Sequence, residues 1–402
     1  MNIARTARGA SGHQREEVPP PLYDVSLIRG GPFYRFQRVT RLIGPEHWNL
    51  GRRITFAVAI GWLPLALITA LLKPSALDDL LRDYRVTARM LIAVPVLLLG
   101  QVVMESRFRM IVRHLREIDI LKPPELSKLD SVIARLMRWR DSLWPELILV
   151  GLVYANVSFA LSSHVHQIRP WALGGDGVSH LLPAGWYYAL VSQLVYQFLV
   201  AISTWKWLMW SYFTFQLSRL EMDLVATHPD QHGGLGFLGL SPMGSAPVAF
   251  AITVAIGSNW RDQILNHGAH LMDFKIDAIV LLAVAVLIAI GPLVFFVPRL
   301  AKVRRRGLLE YGVLGQIHSM DFHKKWVRDP NRNVEEFLTA PEISTLTDYG
   351  SSYDNIEKMQ PFPVDKGSFL VLALAVALPM LPVVLTEVPL GEILKALLEA
   401  AK

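Results

Sequence analysis

The fold is decided by the stretch from Pro183 to Gly239, which reads PAGWYYALVSQLVYQFLVAISTWKWLMWSYFTFQLSRLEMDLVATHPDQHGGLGFLG. No charged residue occurs in it before Lys206. An uncharged apolar run of this length is typical of a helix that crosses a lipid bilayer. The helical pattern continues through an aromatic band and a short charged stretch. We therefore predict one long helix that leaves the bilayer, extends to about Val225 and ends before His228.

The composition of the whole chain also indicates a multi-pass membrane protein. Of its 402 residues, 52% are hydrophobic and 18% are charged, which is more apolar than an average soluble domain. The chain contains no cysteine, which excludes disulfides, thiolate catalysis and Cys-ligated metal centres. The net charge of +6 comes from basic loops of the kind that orient membrane proteins, so we expect no nucleic-acid partner.

We predict an all-α fold: a polytopic membrane helix bundle of about seven transmembrane helices plus a cytoplasmic helical layer. The segments are a basic arm at 1–53, transmembrane helices 1 and 2 at 54–104, amphipathic helices at 105–146, helices 3 to 6 at 147–298, a helical region at 299–366, and helix 7 with an amphipathic tail at 367–402. Most of the 40 Lys and Arg residues fall on one side if the N-terminus is cytoplasmic, as the positive-inside rule requires.

Two segments carry further structural expectations. The aromatic and basic stretch 27–44 suits either the membrane surface or docking onto the protein's own cytoplasmic part. The fifth helix is rich in Gly, Ala and Ser, and small residues let membrane helices approach closely. We therefore expect the fifth helix to be buried against its neighbours.

The glycine-rich loop at 228–239 is the most distinctive motif, and it allows two interpretations. His228 and Asp230 could bind a ligand, and the backbone around Gly233, Gly234 and Gly236 could approach an anion closely. Alternatively, His-Pro-Asp stops the long helix and the glycines turn the chain into the fifth span. We take these five residues as candidates for a ligand site or a pathway.

Polar residues inside the spans give a second set of candidates. Gln193 and Gln197 are one helical turn apart and so share a face of the fourth helix. They could line a polar pathway, or they could form hydrogen bonds between packed helices. The spans otherwise contain almost no charge, which disfavours a proton-coupled transporter.

Histidines in the predicted outer loops are further candidates for a metal site, beside His228, Asp230 and His232 of the glycine-rich loop. His164, His166 and His180 are spaced closely enough to be considered, but they match no standard metal-binding motif. Whether a metal binds is left open by the sequence, and we expect no cofactor. No nucleophile–base pair stands out either, which disfavours an enzyme without excluding one.

Four strings give a resemblance over nearly the whole chain: LIRGGPFYRFQ, THPDQHGGLGFLG, PEISTLTDYGSSYDNIEKMQPFP and LPMLPVVLTEVPLGEILKALL. They resemble a family of uncharacterised bacterial multi-pass membrane proteins. The resemblance implies a bacterial inner membrane and carries no activity, substrate or catalytic residue.

The function that we expect is an oligomeric channel or passive pore for ions or small solutes. The uncharged but locally polar fourth helix and the small-residue fifth helix both suit a packed assembly of identical subunits. The alternatives are a membrane scaffold or regulatory protein that binds partners through its cytoplasmic layer, and an enzyme that modifies lipids. The expected partners are the lipid bilayer and further copies of the chain.

Overall fold

The computed structural model describes residues 25–44, 48–163, 170–173, 181–328, 330, 341–364, 366–389 and 391. Within these ranges the chain forms helices and turns, with two isolated β-bridges and no β-strand. Seven helices are long and apolar enough to cross a membrane. The structure therefore confirms an all-α helical bundle of the membrane-protein class.

The helices are numbered here in chain order. They are α1 (Pro32–Val39), α2 (Leu50–Leu72), α3 (Leu77–Arg82), α4 (Tyr84–Glu117), α5 (Pro123–Asp141), α6 (Trp144–Ser163), α7 (Pro183–Arg219), α8 (Pro242–His267), α9 (Lys275–Ile290), α10 (Val297–Phe322), α11 (Pro341–Lys358) and α12 (Lys366–Val384). The seven candidate spans are α2, α4, α6, α7, α8, α9 and α12. A 3₁₀ turn at Gly291–Phe296 connects α9 to α10.

The bundle has two different ends. At one end, which we call the layer end, α5, α10, α11 and the last turns of α4 and α7 form a layer of helices around a buried apolar core. At the other end, the loop end, short connections link the spans. One example is Lys73, whose Nζ donates a hydrogen bond to the Leu173 carbonyl at 3.2 Å.

The second span is longer than the sequence indicated. Helix α4 continues without a break from Tyr84 to Glu117, so the first amphipathic helix predicted within 105–146 is an extension of the span. It contains a π-helical turn at Arg89–Ala93. Helix α7 has a similar π turn at Tyr188–Ser192 and then continues through Lys206 as one helix.

The fourth span ends earlier than predicted. Helix α7 stops at Arg219 instead of near Val225, and the next residue, Leu220, has an extended backbone with ψ 148°. The last carbonyls of a helix lack intrahelical donors. Here the guanidinium of Arg299 donates to the carbonyls of Ser218 and Leu220, and this contact from a distant helix fixes the end.

The fifth span, α8, is buried against α4 and α12, as its small residues predicted. A Cβ atom at Gly100 of α4 would lie only 2.8 Å from Pro247 Cβ of α8. A Cβ at Gly257 would lie 3.3 Å from the Pro379 carbonyl of α12. The glycines therefore set the distance between these helices.

The N-terminal stretch docks onto the protein itself. Leu27 and Ile28 are buried in the core of the layer, and the Leu27 N–H donates to Glu105 Oε2 at 3.0 Å. Arg140 of α5 donates to the Ser26 carbonyl at 2.6 Å. Of the two interpretations of this stretch, the structure supports docking.

Candidate functional site

The glycine-rich loop folds around one carboxylate. Asp230 Oδ1 accepts hydrogen bonds from the N–H groups of His232 at 2.8 Å and Gly234 at 3.1 Å, and Oδ2 accepts one from Gly236 at 2.8 Å. The imidazole Nδ1 of His228 lies 2.8 Å from Oδ1. Burial acts to raise the pKa of the Asp230 carboxyl, but these N–H donors and His228 outweigh it, so the pKa is lowered.

Glycines make the turn of this loop possible. Gln231, Gly233 and Gly234 have positive φ angles of 58°, 66° and 95°, a conformation that glycine adopts without steric cost. A Cβ atom at Gly234 would also lie 2.9 Å from Ile120 Cδ1. The turn interpretation of the glycines therefore has direct structural support.

The loop is also tied to the segment that follows α11. Gln360 N–H donates to the Gln231 carbonyl at 2.9 Å, and His232 Nε2 lies 3.0 Å from the Phe362 carbonyl. The polar groups of the loop are thus largely engaged by the chain itself. The loop joins parts of the layer end, and a role for its side chains in ligand binding stays a prediction.

The other predicted pair, Gln193 and Gln197, lines a cavity that we call the loop-end cavity. It has a volume of ≈ 390 Å³ and lies between α4, α6 and α7. Helix α7 begins at Pro183 and rises about 1.5 Å per residue, so Gln197 lies roughly 20 Å along it. The cavity therefore extends from the loop end to near the middle of the bundle.

Two arginines of α4 also line the loop-end cavity, and their surroundings differ. Arg85 is neutralised, because its Nε lies 4.0 Å from Asp83 and 3.7 Å from Asp262. It also donates to Asn259 Oδ1 at 3.2 Å. Arg85 thus acts as part of a local charge network.

Arg89 has weaker partners. Its Nη1 lies 3.4 Å from the Tyr188 hydroxyl, and its guanidinium lies 5.9 Å from the centroid of the Tyr196 ring. Among the described residues no hydrogen-bond acceptor reaches its buried Nε. No carboxylate in the described chain forms an ion pair with Arg89. Among the described residues, this guanidinium therefore faces the cavity without a carboxylate in direct contact.

Both π turns of the bundle's spans contribute to the same cavity. Arg89 opens the turn in α4, and Tyr188 opens the turn in α7. Gln193 follows the second turn, and its buried Oε1 finds no hydrogen-bond donor in the described ranges. Single π turns inside helices often occur at functional sites. Polar groups without a partner on the cavity wall can bind a solute that carries both a negative charge and hydrogen-bonding groups of its own.

A third group of polar residues was missed from the sequence. Arg53 of α2, Gln101 of α4 and Lys206 of α7 are all at least nine-tenths buried, and we call them the central donor cluster. Arg53 Nη2 donates to Gln101 Oε1 at 2.8 Å. The two cations, Arg53 and Lys206, thus lie next to the uncharged runs, where α2 and α7 approach the layer end.

This cluster could not be predicted from the sequence, because its members are far apart in the chain. Each residue lies within a few turns of a predicted span end, where a lone cation ordinarily reaches the lipid headgroups. Lys206 gave the only signal, because it interrupts an apolar stretch in the middle of a continuous helix. Only the packing of three helices brings the residues together.

An apolar layer separates the loop-end cavity from the central donor cluster. Leu97 and Leu98 of α4 pack with Tyr196 and Leu199 of α7 in one buried core. Gln197 lies on one side of this layer and Lys206 on the other, nine residues or roughly 14 Å apart along α7. The structure therefore has polar sites at two depths with a closed apolar segment between them.

The remaining predicted residues give no site in the described structure. His164, His166 and His180 lie outside the described residues. In the described ranges, no three His, Asp or Glu side chains come together as possible metal ligands.

Compared with known proteins, the chain matches no family model, no curated protein and no solved structure.

Proposed function

We propose that this integral membrane protein is a passive pathway for small anionic solutes, which enter through the loop-end cavity. The observation that carries the proposal is Arg89, whose guanidinium lines the cavity without a carboxylate partner in the described chain. A cation in a low-dielectric cavity attracts anions and repels cations. The glutamines nearby supply polar groups for a solute that has lost part of its water.

The arrangement also fits passive movement better than coupled transport. The two polar sites lie along α7, and the apolar layer between them must open for a solute to pass. A passive pathway needs only this opening, whereas a pump needs an energy source. The proposed orientation follows the positive-inside rule: the layer end and the N-terminus face the cytoplasm of a bacterial inner membrane.

Anion flux into liposomes tests the proposal. Purified protein is reconstituted, and flux of chloride, phosphate and a small carboxylate is compared with flux of potassium. We expect at least one anion to cross and Arg89→Gln to reduce its flux about tenfold, equivalent to about 1.4 kcal/mol. The matched control is Arg82→Gln at the same end, because Arg82 is exposed and, among the described residues, pairs only with exposed Asp78.

Two outcomes would contradict the proposal. Absence of flux for every anion would remove the pathway. Equal flux of potassium and anions would remove the role given to Arg89. Tight retention of an anionic lipid by the parent but not by Arg89→Gln, without solute flux, would identify the cavity as a lipid site instead.

A separate observation supports self-association through the helical layer. Past the basic residues at 302–306, α10 exposes Leu309, Val313, Ile317 and Met320, each with 48% or more of its surface accessible. Their spacing of four, four and three residues places all four on one face of the helix. The membrane holds two copies parallel and at equal depth, so these stripes would meet in register.

We propose a second copy of the chain as the partner of this stripe. Leu309→Glu combined with Ile317→Glu should convert the oligomer to a monomer in light scattering, while Glu310→Gln on a neighbouring exposed face should not. A parent protein that is already monomeric would contradict self-association. A different protein held by the stripe would favour the scaffold alternative.

A further inference from the structure

The central donor cluster is unusual because its unpaired groups are all donors. Arg53 Nε and Nη1 and Gln101 Nε2 are buried and have no acceptor among the described residues. No hydrogen bond or ion pair in the described structure reaches Lys206 Nζ. Buried polar groups are ordinarily satisfied, and each exception calls for a physical explanation.

The carboxylates around the cluster do not supply the missing acceptors. Glu105 accepts from Arg109 Nε at 2.7 Å and from the Leu27 N–H at 3.0 Å. The Phe33 N–H faces the carboxylate of Glu146. Both carboxylates act on Lys206 through space only, without a salt-bridge contact.

The formal charges around the cluster leave a positive excess. The cations are Arg53, Arg109, Arg140 and Lys206, and the carboxylates are Glu105, Asp141 and Glu146. Asp141 is engaged by the guanidinium of Arg140 at 2.8 Å. By formal charge, four cations thus face three carboxylates among these described residues.

A small cavity lies beside Gln101 and Lys206, and Arg53 is not among the residues that line it. It has a volume of ≈ 20 Å³ and is lined by Gln101, Lys206 and Glu146, with Leu27, Ile28 and Phe33 of the docked N-terminal stretch closing one side. Roughly 10–15 Å³ is enough for one water-sized species. Phosphate and carboxylate anions are too large for it.

We propose that Gln101 and Lys206, with Gln101 held in place by Arg53, form an internal binding site for one halide-sized anion, with chloride as the representative ion. This inference rests on the proposed function, since it supplies the second binding position on the same route. It narrows the transported class to monatomic anions. A halide accepts several N–H hydrogen bonds at once and neutralises the excess charge.

Equilibrium binding of radioactive chloride tests this site. The full-length protein is purified in detergent with gluconate as the only anion. The parent should bind about one chloride per chain, and Lys206→Met and Gln101→Leu should each weaken binding about tenfold, or about 1.4 kcal/mol. The matched control is Lys302→Met, because Lys302 lies on the exposed surface of α10. Both test variants remove polar groups from an apolar setting, and thermal melting reports whether each has folded.

The readouts separate this inference from the proposed function. Chloride binding that depends on Lys206, with no anion flux in liposomes, would support the site and overturn the pathway. Arg82→Gln, the exposed control, should change neither flux nor chloride binding. No saturable binding, or binding that Lys206→Met and Gln101→Leu both leave intact, would overturn the site and leave water as the occupant of the cavity.

Discussion

The glycine-rich loop and the central donor cluster differ in how their polar groups are used. In the loop, one carboxylate accepts three backbone N–H groups, and the backbone of residues 360–362 engages two more of its polar groups. In the cluster, buried donors of Arg53 and Gln101 have no acceptor among the described residues. The conspicuous motif thus has its polar groups paired within the chain, whereas the inconspicuous cluster does not.

The largest effect should come from the carboxylate at the centre of the loop. Asp230→Ala leaves three N–H groups without their acceptor, and hydrogen bonds to charged groups contribute about 1.5–3 kcal/mol each without adding fully. We expect a loss of about 2–4 kcal/mol in the free energy of unfolding, measured by denaturation in detergent. His228→Ala is the control, because its ring is half exposed.

A stable Asp230→Ala protein that has lost its function would reverse the comparison between the loop and the cluster. If Asp230→Ala melts like the parent but abolishes flux or ligand binding, the loop is a functional site and its hydrogen bonds are secondary. Loss of flux in a normally folded His228→Ala protein would lead to the same conclusion.

The second-largest loss of stability should come from changing the glycine turn of the loop. Gly234→Ala places a Cβ at φ 95° and 2.9 Å from Ile120. A left-handed conformation costs a non-glycine residue about 1–2 kcal/mol, and the close contact adds to this. Gly312→Ala is the matched control, since no atom lies within 4 Å of its Cβ position in α10. The control should stabilise the helix by about 0.5–1 kcal/mol. Equal melting temperatures for both variants would show that the loop conformation is not required.

Several features of the molecule could be predicted from local sequence patterns. Uncharged apolar runs predicted seven spans, because each run must satisfy its backbone as a helix in lipid. The small residues of α8 predicted its burial, and the spacing of Gln193 and Gln197 placed both on one face, where they line the loop-end cavity. Local patterns were sufficient for these features.

Other features depend on contacts between distant residues. The end of α7 at Arg219 is fixed by Arg299, and a helical pattern that continues to Val225 contains no sign of that contact. Arg53, Gln101 and Lys206 come from three helices. The unpaired state of Arg89 depends on which carboxylates fold near it. Charge compensation is a three-dimensional property, and the sequence pattern does not specify it.

A smaller change in stability should appear at low pH, through the titration of Asp230. The folded-state pKa of Asp230 is below the ordinary value of about 3.9, so its stabilisation is fully present above roughly pH 4 and is lost as the pH falls through the folded-state pKa. Asp230→Asn does not titrate. The difference in melting temperature between parent and Asp230→Asn should therefore narrow on acidification. A difference that stays constant from pH 6 to acid would show that the ionised carboxylate contributes nothing.

The smallest effect on stability should come from the central donor cluster. Burying a charge without a partner costs free energy, so replacing that charge with an apolar side chain of similar volume should not destabilise the fold. Lys206→Met in gluconate buffer should therefore melt within about 1 kcal/mol of the parent. Chloride should then separate the two proteins. At a concentration of 100 times the dissociation constant, a bound ligand stabilises the folded state by about 2.7 kcal/mol, and only the parent should gain this.

The alternative for Lys206 is a structural ion pair with Glu105 or Glu146. Breaking a buried pair by removing one partner costs about 3–5 kcal/mol, because the other charge is left uncompensated. A loss of that size in Lys206→Met without any halide would assign Lys206 to the architecture, as Asp230 is assigned in the loop. The other outcome is that Lys206→Met is as stable as the parent without chloride and is not stabilised by adding it. That result would assign Lys206 to ligand binding, in contrast to the structural role of Asp230.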